Sequence, residues 1–383
     1  MLIAGEASGD RLAAELVTAL RATPELRNDP FPPEFFGAGG PYLADAGMEL
    51  AFNLTQHSVI GISDVAKKYF MFRRLFNQLF RLALDRQPDV IIGVDYGGFN
   101  LRFAHAIKNH VRRCRGVFSN WNPKLVQYVS PQVWASRPGR AYRMAEDLDL
   151  LLSIFPFEQD WYALRVPKLR VEFVGHPLAK RNSKLQTPTP KPGTAVPLVL
   201  LPGSRPDELR RHLPVLLEAL QLIRNDAPNI TAKMVLPDDA TAQQARKLGL
   251  PAGLEIQVGN LSGALAQADV AITKSGTVTL ECAAAGVPAV VFYKTSWPTY
   301  WIARQIVNVK YLAMPNLLAD EAIYPEFIQK TATPRNIAAA AFDLLCDEPR
   351  RNEIKTKLAG VIASLGKPGA NARAAKAILD SFK

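Results

Sequence analysis

Short apolar runs alternate with helical stretches along nearly the whole chain. Such alternation is typical of parallel sheets covered by helices. In the first half we expect strands at residues 2–4, 90–94, 125–129, 150–154 and 172–174. In the second half we expect strands at residues 198–201, 232–236, 255–258, 270–273 and 289–293. The stretch after Pro334 is predicted to be largely helical.

One segment interrupts this alternation. Residues 181–197 are rich in Pro, Thr and Lys and contain few apolar residues, which is typical of a linker. We therefore expect a first domain over residues 1–180 and a second over 198–365, with residues 366–383 forming a C-terminal helix that packs back on the first domain. Two α/β halves of this kind often bind a ligand in the cleft between them, at the carboxyl ends of the strands.

The composition narrows the class of protein. A chain of 383 residues is long enough for two domains. No run of about 18 uncharged apolar residues is present, so we expect no membrane span. The chain starts in an apolar strand without the features of a signal peptide, and its three widely spaced cysteines fit neither a metal site nor a disulfide framework. We expect a cytoplasmic location.

The net charge of +11 favours either plain solubility or an anionic partner. No nucleic-acid motif accompanies the charge, so we do not expect a nucleic acid. Residues 64–86 are predicted to be helical and are the best candidate for a surface that contacts a membrane or a partner. Five residues have the helical spacing of a core-facing stripe: Phe72, Leu75, Phe76, Leu79 and Ala83. Four further apolar residues are more than a soluble helix needs: Tyr69, Phe70, Met71 and Phe80. Basic residues are interleaved with them: Lys67, Lys68, Arg73, Arg74, Arg81 and Arg86. This mixture suits anionic lipid headgroups, and a core helix with solvated charges is the alternative.

The most informative stretch is residues 274–281. An apolar strand runs into a turn of small residues and then into a helix, which gathers free backbone N–H groups and positive helix-dipole potential suited to a phosphate. Glu281 lies one helical turn past Thr277 and could accept hydrogen bonds from a ribose. The pair suggests a nucleotide-sugar site, and an ordinary strand–helix turn is the alternative.

A second turn follows the first strand, at residues 5–10. Its two glycines permit a tight bend, and Ser8 or Asp10 could cap a helix beginning near Arg11. A carboxylate at Glu6 is unexpected beside a phosphate and better suits an acceptor for sugar hydroxyls. A capped strand–helix turn without a ligand also explains the pattern.

Two further residues of the first half are candidate bases. Asp95 ends an apolar strand, where partial desolvation would raise its pKa and make it a better proton acceptor. Its alternative role is to cap the next helix. His176 is a candidate base as well, although Pro177 beside it equally favours a structural role where the domains part.

Arg205 is the candidate diphosphate-binding residue of the second half. It follows the first strand of that half, and Pro206 suits the first turn of the next helix. The planar guanidinium could clamp a diphosphate, or the residue could be a solvated loop arginine. We interpret Glu208 nearby as compensation of the helix dipole in the first turn.

Together these segments resemble the lipid-A-disaccharide synthases, glycosyltransferases with two Rossmann-like domains and a cleft between their parallel sheets (GT-B). The resemblance spans nearly the whole chain, and the ordered set is more specific than any one segment. The matching segments are residues 5–10, 37–41 (interpreted as a turn), 94–95, 99–100, 129–135, 155–158, 175–177, 201–205, 275–281 and 315–319.

The resemblance implies transfer of 2,3-diacylglucosamine from its UDP-linked donor to the 6-hydroxyl of 2,3-diacylglucosamine 1-phosphate. The products would be a β-1,6 disaccharide and UDP, with inversion at the anomeric carbon. The implied residues are Asp95 as the base, Arg205, Ser275, Gly276 and Thr277 at the diphosphate, Glu281 at the ribose, Asn316 on the donor side of the cleft, and Glu6 and Ser8 in the cleft on the acceptor side.

Neither a cofactor nor a metal is implied, because Arg205 and the helix dipole can neutralise the leaving group. The family works at the inner face of the cytoplasmic membrane, which fits an anionic membrane surface bound through residues 64–86. Both a monomer and a homodimer remain open.

Several positions depart from the family pattern, and all lie in the first domain. Gly98 replaces a second Asp found in some members, Ser136 replaces a usual aromatic residue, and residues 13–14 are Ala-Ala where Gly-Ala is common. The short first strand suggests that the natural chain begins further upstream. Two alternatives therefore stay open: another UDP-sugar transferase or epimerase, and a non-catalytic paralogue that binds UDP-sugar or membrane.

Overall fold

The computed structural model describes residues 1–58, 65–116, 120–179, 197–251 and 253–382. The predicted linker therefore lies outside the described residues, except for Pro197, which begins a strand. The chain divides into two compact units: Met1–Pro177 together with Leu365–Lys383, and Leu178–Ser364.

The first unit contains a parallel sheet in the order β3-β2-β1-β4-β5-β6-β7. Its strands are β1 (Leu2–Ala4), β2 (Phe36–Gly39), β3 (Glu49–Asn53), β4 (Val90–Val94), β5 (Lys124–Tyr128), β6 (Leu150–Ser153) and β7 (Val171–Phe173). Its helices are α1 (Ala7–Arg21), α2 (Pro24–Arg27), α3 (Pro41–Asp45), α4 (Thr55–Ser58), α5 (Val65–Arg86), α6 (Gly97–Cys114), α7 (Val133–Ser136), α8 (Arg140–Asp147), α9 (Pro156–Arg165) and, from the end of the chain, α18 (Ala370–Asp380).

Apolar faces at helical spacing explain how these helices cover the sheet. α5 and α6 meet through an aromatic cluster in which the Phe76 ring lies 5.5 Å from Phe99 and 5.4 Å from Phe103. α18 packs against α1, where Asn371 Nδ2 donates to Glu15 at 2.8 Å. The C-terminal helix is thus part of the first unit.

The second unit repeats this architecture, with strand order β10-β9-β8-β11-β12-β13. Its strands are β8 (Pro197–Leu201), β9 (Thr231–Leu236), β10 (Glu255–Val258), β11 (Val270–Lys274), β12 (Ala289–Tyr293) and β13 (Glu326–Ile328). Its helices are α10 (Pro206–Asp226), α11 (Asp239–Lys247), α12 (Leu261–Leu265), α13 (Val278–Ala284), α14 (Trp297–Ile306), α15 (Met314–Ala319), α16 (Pro334–Cys346) and α17 (Glu348–Ser364). Every strand pairing in both sheets is parallel among the residues described.

The predicted α/β class with two Rossmann-like domains is confirmed, since both sheets follow the doubly wound order 3-2-1-4-5-6. Three strands were not predicted: β2, β3 and β13. The interpretation of residues 37–41 as a turn was wrong, because Gly37 to Gly39 belong to β2 and Pro41 begins α3. Among the described helices, none is both long and apolar enough to cross a bilayer.

Candidate functional site

The turn after β4 holds Asp95 in an unusual backbone conformation. Asp95 and Tyr96 have φ of 52° and 45°, in the left-handed region that costs a residue other than glycine on the order of 1 kcal/mol. Two amides fix this turn: Asn100 Nδ2 and Gln127 Nε2 each donate to the Asp95 carbonyl at 2.9 Å. Sequence reasoning named Asn100 only as part of a matching segment, without this role, and missed Gln127 within β5.

The turn after β1 lies beside it. Glu6 is partly buried at the N-cap of α1, and Ser8 is exposed in the first turn. The predicted cap was wrong, because α1 begins at Ala7 and its N-cap makes no side-chain cap bond. Asp10 instead accepts from the backbone N–H groups of Gly40 at 2.7 Å and Tyr42 at 3.0 Å, so it caps α3.

Close packing brings the two turns together. A Cβ at Gly5 would overlap the Tyr96 ring, so glycine is required where the turns meet. Burial raises the pKa of Asp95, the charge of Glu6 raises it further, and a hydrogen bond from the Tyr96 backbone opposes both. The result is a carboxylate that holds a proton more readily than an ordinary aspartate, as a general base requires.

Two other titratable residues of the first unit are more deeply buried. Glu158 accepts from Trp134 Nε1 at 2.9 Å and from the Phe155 backbone at 3.3 Å, and burial raises its pKa to about 7. His176 lies against the Phe155 ring with centroids 5.6 Å apart, and burial lowers its pKa to about 4. A buried, neutral imidazole at this position favours the structural role of His176.

A cavity of about 340 Å³ opens at the carboxyl ends of β8 and β11 in the second unit. Gly203 and Ser204 line it from the first turn, and Lys274, Thr277 and Glu281 from the second. Thr277 and Glu281 thus face one cavity from successive helical turns. Because β8 and β11 flank the point where the strand order reverses, the cavity occupies the usual ligand position of a doubly wound sheet.

Glu208 connects the turn after β8 with the turn after β11. The interpretation of Glu208 as compensation of the helix dipole did not predict this connection. Its carboxylate lies 3.2 Å from Lys274 Nζ and 3.8 Å from Arg205 Nη1, and it accepts from the Ser204 N–H at 3.3 Å. The Glu208 and Lys274 side chains are only 10% and 19% exposed, whereas Arg205 is 70% exposed and free to turn towards a ligand. Lys274 lines the cavity, whereas Arg205 lies at the N-cap of α10 and is not among the lining residues.

Ser275 and Gly276 form the backbone of the second turn. Ser275 Oγ donates to the Leu312 carbonyl at 3.0 Å, so its hydroxyl ties the turn to the segment before α15. Gly276 has φ of +134°, and a Cβ there would lie 3.2 Å from Lys274 Nζ. Glycine is therefore needed for the backbone conformation, whereas the flexible end of Lys274 could move aside for a Cβ.

The structure does not bring Asn316 to this cavity. Asn316 is fully buried, and its Nδ2 donates at 2.8 Å both to the Tyr324 carbonyl and to Glu326 Oε1. Its Oδ1 accepts from the Tyr324 N–H at 2.8 Å. These bonds occupy the amide, so Asn316 secures the loop after α15.

His212 joins the turn after β8 to the segment after β12, and sequence reasoning did not predict this contact. It is buried, with Nδ1 2.7 Å from the Pro202 carbonyl and Nε2 3.1 Å from the Lys294 N–H. A neutral ring that donates from Nδ1 and accepts at Nε2 satisfies both contacts. Burial also lowers the pKa of His212, which favours that form.

The helix α5 combines core packing with a basic surface. Leu75, Leu79 and Ala83 are buried as predicted. Met71 and Phe80 were wrongly interpreted as extra to the core: both pack against it, because they extend the same face at spacings of three and four residues. Phe70, Arg73, Arg74 and Arg81 are exposed as predicted. Arg86 is instead partly buried and paired with Glu34 at 2.8 Å and Glu49 at 2.7 Å, so it is not part of a free basic surface. Asp64, Lys67, Lys68 and Tyr69 lie outside the described side chains.

No group of three or more His, Cys, Asp or Glu side chains is arranged to hold a metal ion in the described part of the chain.

Comparison with known proteins identifies the family. Residues 1–379 match the family model described as lipid-A-disaccharide synthetase. The lipid-A-disaccharide synthase of Anaeromyxobacter dehalogenans strain 2CP-C is 35% identical over 390 residues, covering 99% of this chain and 96% of the relative. The chain belongs to the lipid-A-disaccharide synthase family. The Geobacter sulfurreducens lipid-A-disaccharide synthase is also 35% identical, with the same coverage. Lipid-A-disaccharide synthases are glycosyltransferases, so the chain is a member of an enzyme family.

Solved structures agree on the fold. The calicheamicin glycosyltransferase CalG4 superposes with a TM-score of 0.58 at 16% identity, covering 100% of this chain and 96% of that one. The UDP-GlcNAc 2-epimerase from Neisseria meningitidis superposes with a TM-score of 0.57 at 12% identity, covering 97% of each chain. Transferases and epimerases share this architecture, so the fold does not distinguish the two reactions.

Proposed function

We propose that this chain is an inverting glycosyltransferase of lipid A synthesis. It transfers 2,3-diacylglucosamine from UDP to the 6-hydroxyl of 2,3-diacylglucosamine 1-phosphate, giving the β-1,6 disaccharide and UDP. Family membership supports the reaction class. The observation that carries the proposal is the cavity after β8 and β11, where Lys274 supplies a positive charge and Thr277 and Glu281 line the wall one helical turn apart.

The donor nucleotide binds in the second unit. The Arg205 guanidinium and Lys274 ammonium bind the diphosphate together with the backbone of residues 275–277, because charge-assisted hydrogen bonds suit phosphate oxygens. Glu281, which lines the same cavity, accepts from the ribose hydroxyls. Glu208 keeps the two turns in register for this contact.

Asp95 is the general base. It takes the proton from the acceptor 6-hydroxyl while that oxygen forms a bond to the anomeric carbon of the donor sugar. The bond from that carbon to the β-phosphate oxygen breaks, and its electron pair leaves on UDP. Attack opposite to the leaving group inverts the anomeric configuration. Glu6 and Ser8, on the neighbouring turn, contact hydroxyls of the acceptor sugar.

The reaction takes place at the inner face of the cytoplasmic membrane, because both substrates and the lipid product carry acyl chains. The exposed part of α5 supports a peripheral contact there: Phe70 is 66% exposed and lies among exposed arginines. Aromatic and basic side chains on one helix face suit anionic headgroups.

The test incubates purified protein with UDP-diacylglucosamine and diacylglucosamine 1-phosphate. We expect a disaccharide phosphate by mass spectrometry, a β linkage by NMR, and UDP release that depends strictly on the acceptor. UDP release without the acceptor, or a product that is an isomer of the donor sugar, would instead indicate another UDP-sugar transferase or an epimerase. Binding of the donor without any turnover would indicate a non-catalytic paralogue.

A further inference from the structure

A second cavity, of about 430 Å³, lies in the first unit between α6 and α8. Gly97 and Gly98 line one end of it, at the start of α6. Arg102 from α6 and Arg140 and Arg143 from α8 line its sides. None of these positions was assigned to a substrate by the sequence or by the proposed reaction.

The cavity gathers positive charge that lacks a counter-ion. Burial lowers the pKa of Arg140, and the nearby charges of Arg137, Arg102 and Arg143 lower it further, so the four guanidinium groups repel one another. Within the described ranges, none of the four makes an ion pair with a carboxylate. An anion placed among them would relieve this repulsion.

The one carboxylate that lines the cavity is already engaged. Asp147 is 3% exposed, and its Oδ2 lies 2.9 Å from His105 Nδ1. Asp147 is therefore bonded to His105 on the cavity wall and, among the described residues, makes no ion pair with the lining arginines. Clustered arginines are typical of phosphate recognition, because each planar fork can donate two parallel hydrogen bonds to phosphate oxygens.

The helix that leads into the cavity adds to the attraction. α6 spans 18 residues and begins at Gly97, so its positive dipole end faces the same space. A Cβ added at Gly98 would meet nothing within 4 Å, so the entrance is open.

We propose that this arginine cavity binds a phosphomonoester attached to a sugar. Resting on the proposed function, the ligand is the 1-phosphate of the acceptor, and Asp95 lies two residues before the start of α6. The donor diphosphate and the acceptor phosphate then have separate sites, one in each unit. Such a division explains how the chain distinguishes two substrates that carry the same acylated sugar.

The first experiment measures binding without turnover. Glucosamine 1-phosphate, glucosamine and inorganic phosphate are titrated into the full-length protein by calorimetry or NMR. We expect glucosamine 1-phosphate to bind at least tenfold more tightly than either of the others. The double variant Arg140→Gln/Arg143→Gln should lose at least tenfold in this affinity, whereas Arg113→Gln/Arg115→Gln, which removes equal charge from exposed positions at the far end of α6, should retain it.

Gly98→Asp tests the same cavity without removing an arginine. The new carboxylate should weaken binding of glucosamine 1-phosphate by about tenfold, on the scale of charge-assisted contacts. Gly98→Asn has nearly the same shape and should bind normally. Equal loss in both variants would show a steric effect and would overturn the electrostatic assignment.

Two further outcomes would overturn the proposal. Inorganic phosphate binding as tightly as glucosamine 1-phosphate would reduce the cavity to a general anion site. If the arginine variants lost binding only to phosphatidic-acid vesicles and kept glucosamine 1-phosphate, the ligand would be a lipid headgroup.

The transfer assay separates this inference from the proposed function. Where turnover is observed, Arg140→Gln/Arg143→Gln should raise KM for the acceptor about tenfold and leave KM for the UDP donor within twofold. If no transfer occurs but the binding pattern holds, the proposed reaction fails and the sugar-phosphate site stands. If transfer occurs and the acceptor KM does not change, the site assignment fails alone.

Discussion

The two units present the same turn geometry with opposite chemistry. In the first unit the strand order reverses between β1 and β4, and the turns that follow these two strands lie together. In the second unit the order reverses between β8 and β11, and the turns that follow them lie together in the same way. The first pair of turns carries the carboxylates Glu6 and Asp95. The second pair carries Arg205 and Lys274, which lie 3.8 Å and 3.2 Å from the Glu208 carboxylate.

This difference shows that the fold provides the position and the side chains decide its use. Parallel strands bring two turns together at each reversal of strand order, whatever residues they carry. The charge of Glu6 adds to the effect of burial in raising the pKa of Asp95, which favours acid–base chemistry. Basic side chains beside free backbone N–H groups at the start of a helix favour a phosphate. Removing charge from the turns of the first unit should therefore affect proton transfer, whereas removing charge from the turns of the second unit should affect phosphate binding.

The largest effect is expected at Asp95. Asp95→Asn keeps the side-chain shape and suits the left-handed backbone, but it cannot take a proton, so kcat should fall by roughly 10²–10⁴-fold. Binding of the UDP donor should be unchanged. The measurement is single-turnover formation of the disaccharide, followed by mass spectrometry.

Asp89→Asn is the matched control, since Asp89 is exposed and immediately precedes β4 at its opposite end. It should retain wild-type kcat. Wild-type turnover in Asp95→Asn would show that another group accepts the proton, and the contrast between the carboxylate and cationic turns would lose its catalytic meaning.

A smaller effect is expected at Arg205, and it should appear in donor binding. Arg205→Gln should raise KM for the UDP donor about tenfold, the value of one exposed charge-assisted contact. Arg210→Gln is the control on the same helix: Arg210 is 64% exposed and lies 2.6 Å from Asp207, much as Arg205 accompanies Glu208. A tenfold rise in both variants would indicate a general loss of positive potential rather than a phosphate contact.

Most of the fold was predictable because its central strands are continuous apolar runs. Residues 2–4, 90–94 and 289–293 were placed at their observed bounds, since central strands covered on both faces have no polar interruption. β2 was missed because its sequence, Phe-Gly-Ala-Gly, has the composition of a turn. β13 has three half-buried residues, too few for a hydrophobic pattern.

The site was predictable where a turn follows a strand, and less so where distant residues meet. Thr277 and Glu281 are one helical turn apart in sequence, so their shared cavity followed from local geometry. The pairing of Glu208 with Lys274 joins residues 66 positions apart, and Asn316 is occupied by a loop that follows its helix. Such contacts depend on tertiary packing, which a single sequence does not display.

The smallest effect is expected at Glu6, and it concerns the pH dependence of the carboxylate pair. Burial is the larger cause of the raised pKa of Asp95, and the charge of Glu6 is the second. A base works when ionised, so a raised pKa moves the acid limb of the kcat/KM profile to higher pH. Glu6→Gln removes the negative charge and should move that limb to lower pH, whatever its effect on the plateau through the acceptor contact. Ser8→Ala, in the same turn, leaves the charges unchanged and should not move the limb. A shift to higher pH in Glu6→Gln would mean that Glu6 does not act on Asp95 through its charge, and the first unit would then hold a lone base rather than a coupled pair.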